Sequence, residues 1–272
     1  LPDVEAKGQE SEAQREYEVI RDAFRRLIHH WENSAEREDI IEDIITHRCS
    51  FLIDRALRGL ALDFDEALSI LRNHNNFTTE RERQQHEILV AAIDNLIDFA
   101  TAEEMSMIDE LPEEIDEESL LDYETICEQY NLTFADVENE QVLFAAKMAA
   151  WWMTVNAESV ITYMTQGDER VRPWHLSLEG VSYRKSEFPA ELIPPIEWGC
   201  RCYLIANGFA GVRASLSIDK CRSMVDPVFR ESLATGGRIF TDAHRYFDVP
   251  LPEFAQKIVK RLKSKFYEQD ND

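Results

Sequence analysis

Between Thr165 and Tyr203 the chain places residues that are hard to replace physically at fixed intervals. They are Asp168, Val171, Arg172 and His175, then Leu178 and Gly180, then Pro194, Pro195, Trp198, Cys200, Arg201 and Cys202. Pro173 breaks any continuous helix through Asp168 and His175, so those side chains meet only if the chain turns. Cys200 and Cys202 lie two apart. In an extended segment both thiols therefore face one way and Arg201 the other. The stretch reads as one module held by its side chains.

The chemistry of that module supports three readings. His175, Cys200 and Cys202 supply three soft or borderline ligands, and a structural zinc ion takes four, with Asp168 or Cys221 as the candidate fourth. In the second reading the same residues hold a loop core by packing and hydrogen bonds, with inert buried thiols. In the third, a cysteine thiolate activated by His175, with Asp168 orienting the ring, makes a hydrolase or acyl transferase. Nothing in the sequence marks an oxyanion hole, and two neighbouring thiols suit a ligand pair better than a lone nucleophile. A disulfide across one residue is strained. In the first two readings Asp168 and Arg172 are expected to form a bidentate ion pair, and Trp198 with Pro194 and Pro195 to stiffen the approach to the cysteines.

Written as a pattern, the module is T-x-x-D-x-x-V-R-x-x-H, then L-x-G, then P-P-x-x-W-x-C-R-C. This resembles the phage Mu F-like head morphogenesis family of minor head proteins, with a weaker extension through Asp226, Pro227 and Phe229 to Phe240. Two departures stand out. Ser186-Glu187-Phe188-Pro189 replaces an aromatic-rich segment, and Gly199 occupies the position before the first cysteine, adding backbone freedom there. The resemblance implies a structural, non-enzymatic protein of the virion head, present in the host cytoplasm during assembly. Its implied partners are portal or capsid proteins of the same phage.

Composition narrows the setting. The 272 residues carry 53 acidic and 29 basic side chains, a formal charge of −24, which repels phosphate backbones and anionic membranes. Direct nucleic-acid binding is therefore expected only at a basic C-terminal helix. No apolar run reaches membrane-spanning length. The five cysteines, Cys49, Cys127, Cys200, Cys202 and Cys221, are an odd number at irregular spacing and point to a reducing cytosol. The chain starts with Leu and no leader pattern follows, as in a trimmed or processed product.

Periodicity predicts an α+β fold, a mainly helical N-terminal half followed by a small irregular α+β module. Residues 1–102 read as a helical bundle region, with a capping box at Thr79 and Glu82. Residues 103–118 are acidic, contain Pro112 and read as a linker or loop. Helix resumes at Thr133, capped by Thr133 and Asp136, within a helical region 119–160 that packs on the module; Trp151 and Trp152 are expected in its core. Residues 161–250 form the Mu F-like module, with short strands near Val181–Tyr183 and Tyr203–Ile205. Residues 251–272 form an amphipathic helix that carries the basic cluster.

Overall fold

The computed structural model describes residues 11–73, 76–208 and 217–268. The first ten residues of the expected bundle region and the last four of the terminal helix lie outside them. Helix α1 (Glu12–His29) starts where Ser11 accepts a hydrogen bond from the Gln14 amide, and buries Ile20, Phe24 and Leu27 at helical spacing. Helix α2 (Ser34–Leu60) is capped by Asn33 and stops at Ala61, which adopts a left-handed conformation. After the short α3 (Phe64–Leu71), α4 (Glu80–Asp109) opens with the expected capping box between Thr79 and Glu82. Helix α2 packs against α1, α4 and α6 (Ala135–Thr154). At Gly59 α2 and α6 come so close that an added Cβ would sit 2.5 Å from that of Ala146 and 2.9 Å from the Leu143 carbonyl.

Two expectations about helix boundaries fail. The acidic stretch 103–118 is not a linker throughout, because α4 continues to Asp109, and Glu103 and Glu104 are completely buried within it. Their burial has a physical partner that composition cannot show. Arg48 of α2, itself buried, donates from Nε to Glu103 at 2.6 Å, from Nη2 to Glu138 of α6 at 2.8 Å and from Nη1 to Asn139 at 2.7 Å. Tyr246 donates to the other oxygen of Glu138 at 2.9 Å, and Asn131 donates to Glu104 at 3.2 Å. Nor does helix begin afresh at Thr133. Helix α5 (Leu120–Glu128) passes through a π-helical turn, Gln129–Phe134, directly into α6, and neither Thr133 nor Asp136 caps anything. The wider turn lets Asn131 reach inward to Glu104.

The C-terminal half is irregular around a small sheet, as expected. Strands β1 (Val160–Met164), β2 (Ser182–Arg184) and β3 (Tyr203–Ala206) pair antiparallel in the order β2-β1-β3. Ile161 lies opposite Tyr183 and Tyr163 opposite Leu204. Trp152 is buried where α6 meets this sheet region, its ring edge-on to Phe188 at 5.9 Å, while Trp151 is half-buried beside it. Lys185 donates to the carbonyls of Trp152 and Val155, both at 2.7 Å, and so satisfies the C-terminal end of α6. Helix α7 (Pro173–Leu176) belongs to the signature, and α8 (Ile218–Met224) follows the sheet.

Residues 225–250 contain only single 3₁₀ turns and are clasped onto α4. The buried Asn95 side chain accepts from the Ile239 and Phe240 amides at 2.9 and 3.0 Å and donates to the Phe240 carbonyl at 2.8 Å. One turn on, the Phe99 ring stacks on Phe240 at 4.3 Å. Helix α9 (Glu253–Tyr267) then returns to α2, α3 and α4. Much of its basic cluster is engaged by the chain's own acids: Arg261 with Glu42, Lys263 with Asp98 at 2.9 Å, and Lys257 with Glu253 at 2.8 Å.

One buried guanidinium cannot balance three buried carboxylates. Burial first, and the charge of Glu103 next, push the carboxyls of Glu104 and Glu138 well above the ordinary range. A carboxyl raised on folding adds stability that is complete below its unfolded value and is lost as pH rises through its folded value. Stability measured as the urea midpoint should therefore fall as pH rises above the ordinary carboxylate range, and Glu104→Gln should flatten that fall. Equal slopes in wild type and variant would contradict it. Arg48→Leu leaves the carboxyls without their cation and should cost about 3–5 kcal/mol.

Candidate metal-ligating site

The sheet brings the signature together from both ends. Strand β1 runs into the turn at Gly167, where Asp168 accepts from the Arg170 amide at 3.1 Å. Helix α7 then starts at Pro173, whose missing amide costs nothing in a first turn. It delivers His175 to the interior. From the other side a turn closed by the Cys200 amide on the Glu197 carbonyl, at 3.1 Å, leads into β3. Gly199 has φ +68° there, although a Cβ would meet nothing within 4 Å. The backbone conformation, not space, calls for glycine at this position. Pro194-Pro195, joined by a cis peptide bond, precede that turn.

His175, Cys200 and Cys202 meet in this core, each 2–3% exposed. One ligand atom from each lies within 4.8 Å of the others, and His175 Nδ1 is 3.3 Å from Cys202 Sγ. They line a cavity of about 10 Å³, room for a single atom, together with Gly199, Val171 and arginine side chains. The Cys200 thiol is held well below its ordinary value, chiefly by a hydrogen bond from Cys202 and further by His175 and backbone groups, which together outweigh burial. Cys202 is pushed up because it donates to Cys200 and is buried. The two thiols are thus shifted in opposite directions, Cys202 acting as the donor and Cys200 as the acceptor. Tyr163 of β1 faces both sulfurs with a buried hydroxyl that has no oxygen or nitrogen partner.

The other ring nitrogen of His175 meets Glu197. Its Nε2 lies 2.7 Å from Glu197 Oε1, and Arg172 Nε approaches the same oxygen at 2.7 Å. Neither contact is aligned as a hydrogen bond, so the grouping rests on proximity. Arg172 also donates to the Trp198 carbonyl at 2.7 Å.

This corrects the expected Asp168–Arg172 pair. Asp168 instead accepts both arms of Arg201, at 2.7 and 2.9 Å. The reason is directional: Asp168 is fixed by its own turn on the surface, where Arg201 emerges opposite the thiols, while Arg172 precedes α7 and reaches the Glu197 loop. Asp168 and Cys221 both stay outside the ligand cluster, so neither is its fourth member. Gly180, at φ +80°, donates its amide to the Tyr163 carbonyl at 2.9 Å and closes the loop back onto β1. Trp198 does not touch the cluster through its ring, which packs on Phe229 and Phe240 at 4.9 and 5.5 Å.

Glu197 and Tyr163 were missed by the sequence reading. Glu197 occupies an unspecified position of the pattern, and its one signal is an acid set among Pro194, Pro195, Ile196 and Trp198. Tyr163 reads as an ordinary strand residue.

Comparison with known proteins agrees with the pattern. Residues 107–205 match the family described as Phage Mu protein F like protein, so the Mu F-like resemblance holds over that segment. An uncharacterized protein of Methanocaldococcus jannaschii is 50% identical over 42 residues, 15% of this chain and 7% of that protein. The chain thus matches only a small part of that relative's length. No solved structure matches.

Removing a partner from the buried trio differs from removing a surface pair. Glu197→Ala leaves the His175 ring without its carboxylate and should cost about 1–3 kcal/mol in urea unfolding. Asp168→Asn, at the exposed Arg201 pair, should leave the midpoint within error of wild type. A larger loss for Asp168→Asn than for Glu197→Ala would reverse this order.

Proposed function

Because residues 107–205 are a Mu F-like segment of phage head proteins, we propose that this chain is a minor head protein acting in head morphogenesis, near the portal or the capsid interior. Its partners in this reading are portal or capsid subunits of the same phage, and its place is the virion head, reached from the host cytoplasm. No described helix is long and apolar enough to cross a membrane.

The observation that carries the role of the site is the meeting of ligand atoms from His175, Cys200 and Cys202 within 4.8 Å of one another, beside a cavity of about 10 Å³. Two cysteine sulfurs and a histidine ring nitrogen form a donor set that fits zinc. Glu197 behind His175 is the support that metal-bound imidazoles commonly have, fixing the tautomer and raising ligand basicity. Zinc here would tie α7 to the entry of β3 and hold the module rigid without a large sheet. The set supplies three protein ligands, and a water molecule or another group would complete the fourth position.

A thiolate from the same pair could serve a hydrolase or transferase. The cavity argues against it, because a space of about 10 Å³ beside a 3% exposed cysteine admits an ion and not a substrate carbonyl. We therefore take the site as structural and the protein as non-enzymatic.

Elemental mass spectrometry of protein purified without chelators should find one zinc per chain, lost in Cys200→Ser and Cys202→Ser together with thermal stability. Glu197→Gln should retain the fold and bind zinc about 10–100-fold more weakly. A metal-free wild type with one rapidly alkylated thiol would overturn the zinc reading and favour the enzyme. For the assembly role, the intact chain should co-sediment with procapsids of its own phage, and failure to associate with procapsids or portal would count against it.

A further inference from the structure

The middle of β1 carries a hydroxyl that packing does not explain. Tyr163 is completely buried, and its Oη has no hydrogen-bond partner. The neighbouring hydroxyl on the strand is provided for: Thr162, equally buried, pairs with Ser182 at 2.8 Å. Tyr246, the comparably enclosed tyrosine of the C-terminal half, donates to Glu138 at 2.9 Å. Buried hydroxyls without partners are rare in folded proteins. A phenylalanine would fill the same space beside Ile161, on the same face of β1, with no polar atom to satisfy.

The strand register shows what the hydroxyl faces. Tyr163 lies opposite Leu204 of β3, and Cys202 stands two residues before Leu204, so these side chains project from one face of the sheet. The Tyr163 hydroxyl is thereby directed at the sulfurs of Cys202 and Cys200. The small cavity beside the ligands is lined by Arg170, Val171, Arg172, Gly199 and Arg201, and not by Tyr163. The phenol therefore approaches the sulfurs from outside the space an ion would take.

Zinc changes what Cys202 needs. A zinc-bound cysteine is a thiolate, which accepts hydrogen bonds and donates none. His175 Nδ1, 3.3 Å from Cys202 Sγ, is the ring nitrogen left for the ion because Nε2 faces Glu197, so once it binds it no longer serves as a donor to sulfur. Cys200, also a thiolate on zinc, has no proton to offer either. The side-chain hydroxyl already directed at the pair is that of Tyr163. We propose that Tyr163 is a positioning residue of the zinc site, its hydroxyl donating a hydrogen bond to the zinc-bound sulfur of Cys202. It supports that ligand as Glu197 supports His175, and it lowers the negative charge the sulfur presents inside the protein, where such a bond is strengthened by the low local dielectric. The inference rests on the zinc reading of the cluster.

Tyr163→Phe removes the oxygen and keeps the ring, and the full chain is compared with wild type with and without added zinc. Without zinc the variant loses no hydrogen bond, so its urea midpoint should equal or exceed that of wild type; with zinc the order should reverse. Competition with a chromophoric chelator should show the variant binding zinc about tenfold or more weakly. With cobalt(II) in place of zinc, the sulfur-to-metal charge-transfer band should move to longer wavelength in the variant, because a sulfur without its hydrogen bond gives up charge more readily. Tyr183→Phe, on β2 with its ring against Phe188, should change neither the affinity nor the band. A Tyr163→Phe protein destabilised equally with and without zinc would make the hydroxyl a plain structural group and overturn the proposal. So would zinc affinity and a cobalt band equal to those of wild type. Failure of the wild type itself to bind zinc is a distinct result, which overturns the reading of the site and this inference with it.

Discussion

The guanidinium of Arg48 is the point on which the helical half converges. It reaches α4 through Glu103 and α6 through Glu138 and Asn139, and through Glu138 it meets Tyr246 of the C-terminal half. Buried ion pairs add little net stability compared with apolar packing, because desolvation offsets the attraction. Their effect is on arrangement. A helix rotated by one residue would leave a carboxyl without its donor, so the network selects one register of α2, α4 and α6 among the many that apolar packing tolerates.

From that network the influence passes to the module through aromatic rings. Tyr246 touches Phe99 and His244, Phe99 stacks on Phe240, and Phe240 stacks on Trp198. Trp198 lies two residues before Cys200, so the loop that presents the thiols is anchored to α4. Asn95 adds the hydrogen-bonded half of this anchor. The irregular segment 225–250 is therefore ordered by what it touches.

The sulfur cluster follows a similar logic at smaller scale. The Cys200 thiol is held below its ordinary value chiefly by the hydrogen bond from Cys202, where burial alone would have raised it. Glu197 and Arg172 extend the chain of charges outward to the surface, where Arg201 and Asp168 close the outer side of the loop.

Much of this was legible in the chain. The three-four spacing in α1, α2 and α4, the Thr79–Glu82 cap, the short strands near 181–183 and 203–205, and the meeting of His175 with Cys200 and Cys202 all follow from local periodicity or from residue types with few chemical alternatives. The Mu F-like segment was likewise readable from its motif spacing. What the tertiary structure decided concerns charge. Glu103 and Glu104 look like a solvated acidic loop until Arg48, 55 residues before Glu103, turns the same residues inward. Asp168 chooses Arg201 over Arg172, 33 residues away against four, and Glu197 joins His175 from an unmarked position. Apolar patterning is a local property, because each residue's burial repeats with the period of its own element. The partner of a charge depends on distances across the fold, and those exist only once the chain has closed.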